Sequence, residues 1–175
     1  MNHGGLLPLF GMWAAMMIAM MAPAEAPSVL RLRRGRLAFA AGFAAPWIAF
    51  SFAAALLQQW LHGAGLLEHA SGALRNPWLA AAVLAAAGAA QFTPLKRACR
   101  LSPLEGSLRG GLRAAAFSIG SCGVLMLAPF AVGMSMWPMA LITALLVAEK
   151  WAPQRWPVSA VSGVLLAASG ALLAL

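Results

Sequence analysis

Five methionines fall within ten residues, Met12, Met16, Met17, Met20 and Met21, inside an uncharged apolar run from Leu6 to Ala24. A thioether is a soft, neutral ligand that suits Cu(I) and does not suit hard cations. At about 100° per helical residue, Met12, Met16 and Met20 fall on a stripe about 80° wide, and Met17 and Met21 widen it to roughly half the circumference. The i, i+4 spacing lets two or three thioethers converge on one ion. The competing explanation is that methionine fills irregular gaps between helices. Leucine and alanine would make a membrane helix equally apolar, so the cluster asks for a reason beyond hydropathy.

Two cysteines add soft donors. Cys99 closes the break Gln91-Phe92-Thr93-Pro94-Leu95-Lys96-Arg97-Ala98-Cys99. The neighbouring bases favour its thiolate, which binds soft metals. Cys122 sits in Gly120-Ser121-Cys122-Gly123 within an apolar run. It reads either as a small buried hydrophobe or as a local break where irregular backbone lines a cavity. The candidate metal ligands are therefore Met12, Met16, Met20, Cys99 and Cys122, with Met17 and Met21 next. Met126, Met134, Met136 and Met139 gather around the end of a later run, at the face expected to carry Met12. His3, His62 and His69 fall outside every apolar run, as solvated side chains or as part of a metal-uptake site. A b-type haem with two in-membrane histidines is thereby disfavoured. Glu25 and Glu149 follow the first and fifth runs. With no acid at mid-span, transport coupled to a buried carboxylate is disfavoured. No Cys-x-x-Cys, phosphate-binding loop or nucleophile elbow is present. An enzyme is not expected, and no catalytic residue is assigned.

The elements that must position these residues follow from composition. Of 175 residues, 62% are hydrophobic and only 9% charged, against roughly a quarter charged in a soluble domain. The reading is an all-α, polytopic transmembrane helix bundle of about six spans with short loops, forming one integral membrane domain over residues 1–175. The candidate spans are Leu6–Ala24, Leu37–Leu61, Trp78–Thr93, Leu112–Gly133, Met136–Ala148 and Val158–Ala174. The third and fifth are short for the ~20 residues a span needs. A re-entrant unit formed by the fourth and fifth is the main rival.

Basic residues orient the bundle. Arg31, Arg33, Arg34 and Arg36 lie in the first loop, Lys96, Arg97, Arg100, Arg109 and Arg113 in the third, and Lys150 and Arg155 in the fifth. Only Arg75 falls in an even-numbered loop. The positive-inside rule makes the odd loops cytoplasmic and leaves both termini outside, as in a bacterial inner membrane. This segregation accounts for the net charge of +8 without nucleic acid as a partner. It also puts Cys99 in the cytoplasm and Cys122 in mid-membrane, so no disulfide joins them. Trp60, Trp78, Trp137, Trp151 and Trp156 mark the ends of runs, where amphipathic rings favour the interface. The first residues lack the basic n-region of a secretory signal, so Leu6–Ala24 reads as a retained span. Tracts such as Ala85-Ala86-Ala87-Gly88-Ala89-Ala90 allow close helix approach.

Taken in order, these segments resemble the DUF2182 family of metal-binding integral membrane proteins. Met12-Trp13-Ala14-Ala15-Met16-Met17-Ile18-Ala19-Met20-Met21-Ala22-Pro23 is similar to its first motif. The segment from Gln91 to Cys99 is similar to its second, Gly120-Ser121-Cys122-Gly123 to its third, and Ala148-Glu149-Lys150 to its fourth. The third motif often holds further cysteines in that family, whereas here Ser121 and Gly123 flank a single one. The resemblance implies a polytopic fold and a metal-related role. Together with the residues it points to Cu(I) held by Met and Cys inside the bundle, passed inward or to a partner metalloprotein. An accessory subunit of a larger membrane complex, with methionines used only for packing, is the alternative.

Overall fold

The computed structural model describes residues 5–68, 71–93, 105–151 and 158–174. Among these there is no strand, only a lone antiparallel bridge between Leu67 and Leu74. The helices run in the order α1 (Leu6–Arg31), α2 (Arg36–Gly63), α3 (Pro77–Ala90), α4 (Leu108–Cys122), α5 (Pro129–Val132), α6 (Met136–Trp151) and α7 (Val158–Ala174), with a 3-10 turn at Leu125–Leu127.

The all-α expectation holds, whereas six spans are not reproduced. Among the described residues, α1 and α2, of 26 and 28 residues, are long and apolar enough to cross a bilayer. A third qualifies if α4 and Leu125–Val132 count as one span bent by 63°. The helices standing for the third, fifth and sixth expected spans have 14, 16 and 17 residues. At about 1.5 Å per residue these reach roughly 21–26 Å, short of a hydrocarbon layer of about 30 Å.

The chain forms two compact units. The first comprises Met1–Gly65 and Pro103–Ala116. Its frame is an antiparallel α1–α2 hairpin. The indole Nε1–H of Trp13, near the start of α1, donates to Gln58 Oε1, near the end of α2, at 2.6 Å. At the other end of the hairpin, Arg36 donates from Nε to Leu32 O at 2.7 Å and from Nη2 to Leu30 O at 3.1 Å. Its cation thereby satisfies carbonyls at the C-terminus of α1, the negative end of the helix dipole. Gly35 makes the corner in the left-handed region (φ 73°), and a Cβ there would lie 1.8 Å from Gly106 O. The first turns of α4 press on α2 through glycine: a Cβ on Gly42 would meet Leu108 O at 2.2 Å, and one on Gly111 would meet Phe39 O at 2.2 Å. Here small residues set the helix spacing, as the composition suggested.

Helix α1 departs from expectation at its C-terminal end. It does not stop at Ala24 but continues to Arg31 through Pro23 and Pro27. An interior proline forfeits a backbone hydrogen bond, a loss that helices in apolar surroundings tolerate when neighbours support them. Glu25 therefore lies within the helix, not after it, and is buried.

The second unit comprises Leu66–Ser102 and Phe117–Leu175. Asn76 caps α3, its Oδ1 accepting from Trp78 N–H at 2.9 Å, with Pro77 in the first turn. Helices α3 and α7 pack backbone to backbone, since a Cβ on Gly88 would lie 2.8 Å from Gly163 O. The segment before α3 is tied to the α5 region by Leu74 N–H to Phe130 O at 2.7 Å and Met134 N–H to Ser71 O at 2.9 Å. Glu149 is buried inside α6 and accepts from Ser162 Oγ at 3.3 Å. It stands within the helix, since α6 runs on past Ala148 to Trp151.

Candidate metal centre

The methionines of α1 separate into two pairs. On the helical wheel Met16 and Met20 lie to one side of Trp13, and Met17 and Met21 lie to the other. All four are buried, as is Trp13 between them. Met12 falls at the edge of this arc and is 40% exposed. The burial maximum thus runs along Trp13, whose hydrogen bond to Gln58 holds that face against α2.

An apolar cavity of about 440 Å³ lies between α1 and α2. Its walls include Met17, Met21 and Glu25 from α1 and Phe43, Trp47 and Ser51 from α2. The α1 residues are spaced i, i+4 and i+8, so they form one column on successive turns. Met12, Met16 and Met20 do not line it. Trp47 is buried and its indole Nε1 has no hydrogen-bond partner. The ring is instead wedged between Phe43 and Phe50, with centroid separations of 6.4 and 5.5 Å. Ser51 turns its hydroxyl back to Trp47 O at 2.8 Å, which leaves the cavity lining mostly hydrocarbon, sulfur and aromatic ring.

The other expected ligands stand elsewhere. Cys122 is buried in the second unit, at the last residue of α4, with Sγ 3.5 Å from Ser121 Oγ. The backbone breaks immediately after it, as its glycine neighbours suggested. Cys99 lies outside the described residues, as do Lys96, Arg97, Arg100, His3 and His69. His62 is half-buried near the end of α2. Met126 is fully buried and Met136 is 86% exposed, so the later methionines do not share one environment. Among the described residues no group of three or more His, Cys, Asp or Glu is placed to hold a metal. Sequence reasoning passed over Glu25 and Trp47. Glu25 was legible as the next step of the Met17–Met21 ladder once the helix continued past Pro23, whereas Trp47 had no such signal.

A donor set of thioethers beside an apolar cavity suits a soft ion carried as cargo. The sequence profile of the PpoB2 family, described as a copper chaperone, matches residues 10–173, and the chain belongs to that family. This corrects the resemblance to DUF2182, for which the comparison gives no support. Copper is the metal the family handles, its role is delivery rather than catalysis, and a chaperone of this kind acts on a metalloprotein partner. No curated protein and no solved structure matches the chain.

Proposed function

We propose that this protein is a membrane-embedded Cu(I) chaperone in which methionine thioethers of α1 hold the ion for transfer to a metalloprotein. The observation that carries the proposal is the burial of Met16, Met17, Met20 and Met21 as two i, i+4 pairs on one helix of spanning length. Thioethers are neutral, so an ion they hold need not compete with protons for its ligands, and a partner's thiolates can draw it away. Cys99 and Cys122 are candidate further ligands on the same soft-donor grounds.

Placement in a bilayer is supported by the apolar length of α1 and α2 and by the exposed Trp60, Trp78, Trp137 and Trp151. Large exposed side chains such as Leu37, Leu141 and Leu172 point the same way, since contiguous apolar surface marks contact with lipid or protein. Counted over the six apolar runs of the sequence, eleven of the twelve basic residues fall in the odd loops, and on that count we place both termini outside a bacterial inner membrane.

The test is anaerobic Cu(I) loading of the detergent-purified chain, followed by desalting and elemental analysis. It is run beside a variant with all five α1 methionines changed to leucine. Near-stoichiometric copper in the wild type and its loss in the variant are expected. Equal copper in both would refute thioether binding. No copper in either, with a protein subunit retained in stoichiometric amount, would favour an accessory role in a larger complex.

A further inference from the structure

We infer that the copper-carrying pair is Met17 and Met21, working in the α1–α2 cavity with the ring of Trp47, and that Met16 and Met20 serve packing. This rests on the proposed Cu(I) role and assigns it to particular atoms.

A carrier site needs room for the ion and a way for the ion to leave. Close-packed interiors offer no such room. Of the two methionine pairs, Met17 and Met21 border the α1–α2 cavity and Met16 and Met20 do not, and its volume of about 440 Å³ far exceeds that of one ion. Ile18, Leu30 and Ile48 also line it and are 60%, 67% and 47% exposed. The cavity therefore opens on the outer face of the hairpin, where a partner's ligand can approach. Met16 and Met20 are buried and border no part of this space.

The chemistry is consistent with that placement. Two thioethers one turn apart can close on a single ion because methionine has three flexible side-chain bonds. They leave Cu(I) coordinatively unsaturated in a space with almost no polar lining. Trp47 supplies the third contact, its ring electrons attracting the cation, an interaction strengthened by the apolar lining. Its position is set by Phe43 and Phe50, not by a hydrogen bond from its N–H. A cation held by neutral ligands in an apolar site also calls for a nearby negative charge. Glu25 is the one ionisable group among the described lining residues, a single helical step beyond Met21.

The experiment uses the full chain in detergent and a chromophoric Cu(I) chelator as competitor, under anaerobic conditions. Methionine-to-leucine changes conserve volume and are the mildest available in a core. The M17L/M21L variant is expected to lose affinity by roughly tenfold or more, at least the loss that follows removal of a metal ligand's outer-shell partner, while M16L/M20L stays within about twofold. W47F is expected to weaken binding by roughly tenfold and to reduce the copper-dependent change in indole emission. Loss of copper in M16L/M20L with retention in M17L/M21L would overturn the assignment and leave the thioether chaperone intact. Equal loss in both pairs would overturn the division of labour. Retention in both would overturn the assignment and the proposed function together. Unchanged affinity and emission in W47F would remove Trp47 from the site.

Discussion

Changing Trp13 to Phe removes the indole N–H that donates to Gln58 Oε1 at 2.6 Å, the hydrogen bond that joins the two ends of the α1–α2 hairpin. Both residues are buried, so the loss does not expose either group to water. The Gln58 amide left behind carries an unsatisfied acceptor, worth about 1–3 kcal/mol, and the smaller ring adds a packing penalty to that cost. Gln58→Leu strands the indole N–H instead and costs a similar amount, about 1–3 kcal/mol. The double variant strands neither, because replacing both partners by apolar groups is nearly neutral for the polar term. The two penalties therefore do not add. Interhelical hydrogen bonds in membrane proteins show coupling of about 0.6 kcal/mol on average and about 1.7 at most. With its short distance and full burial, this pair is expected near the upper end. The assay is reversible unfolding in mixed micelles by increasing SDS, followed by far-ultraviolet circular dichroism, for wild type, both single variants and the double. Penalties that add to within about 0.3 kcal/mol, the scatter found for independent sites, would refute the claim that this bond orients the methionine-bearing face. Copper affinity supplies a second readout. It should fall in Trp13→Phe and recover in part in the double variant, since Trp13 separates the two methionine pairs.

Two further outcomes follow from the packing. Gly42→Ala places a methyl 2.2 Å from Leu108 O, a backbone atom that cannot yield without moving α4, so a loss of about 1–3 kcal/mol or more is expected; an unchanged SDS midpoint would show that α2 and α4 are not in such close contact. Gln91→Leu is expected to raise stability by about 1–3 kcal/mol, because both polar atoms of this buried side chain lack hydrogen-bond partners and their desolvation is uncompensated; a lowered midpoint would show that the amide is satisfied.

Much of the fold was legible because its signals are local. The apolar runs at Leu6 and Leu37 are long enough to declare helices whatever they pack against, and the structure extends both. The break at Cys122 was foreshadowed by its flanking glycines. The methionine ladder was visible from spacing alone, since the helical repeat places i and i+4 on one face wherever a helix forms. The sequence also made sulfur the chief candidate donor, having no apolar run with a histidine or a carboxylate pair.

What only the tertiary structure decided is which sulfur faces which neighbour. Helix α1 is apolar nearly all round, so hydropathy names no inward face, unlike the striped helix of a soluble protein. The choice falls to the partner helix. Trp13 reaches Gln58, forty-five residues away, and that contact turns Met12 toward the edge and Met17 and Met21 toward the cavity. Glu25 was expected to follow a span ending at Ala24, just past Pro23. Packing along α2 carries the helix through it and buries the carboxylate beside the thioethers. Trp47 joins them because Phe43 and Phe50 hold its ring on the facing helix. Periodicity along a chain determines a stripe of side chains; the cavity they share belongs to two helices at once and exists only when those helices have met.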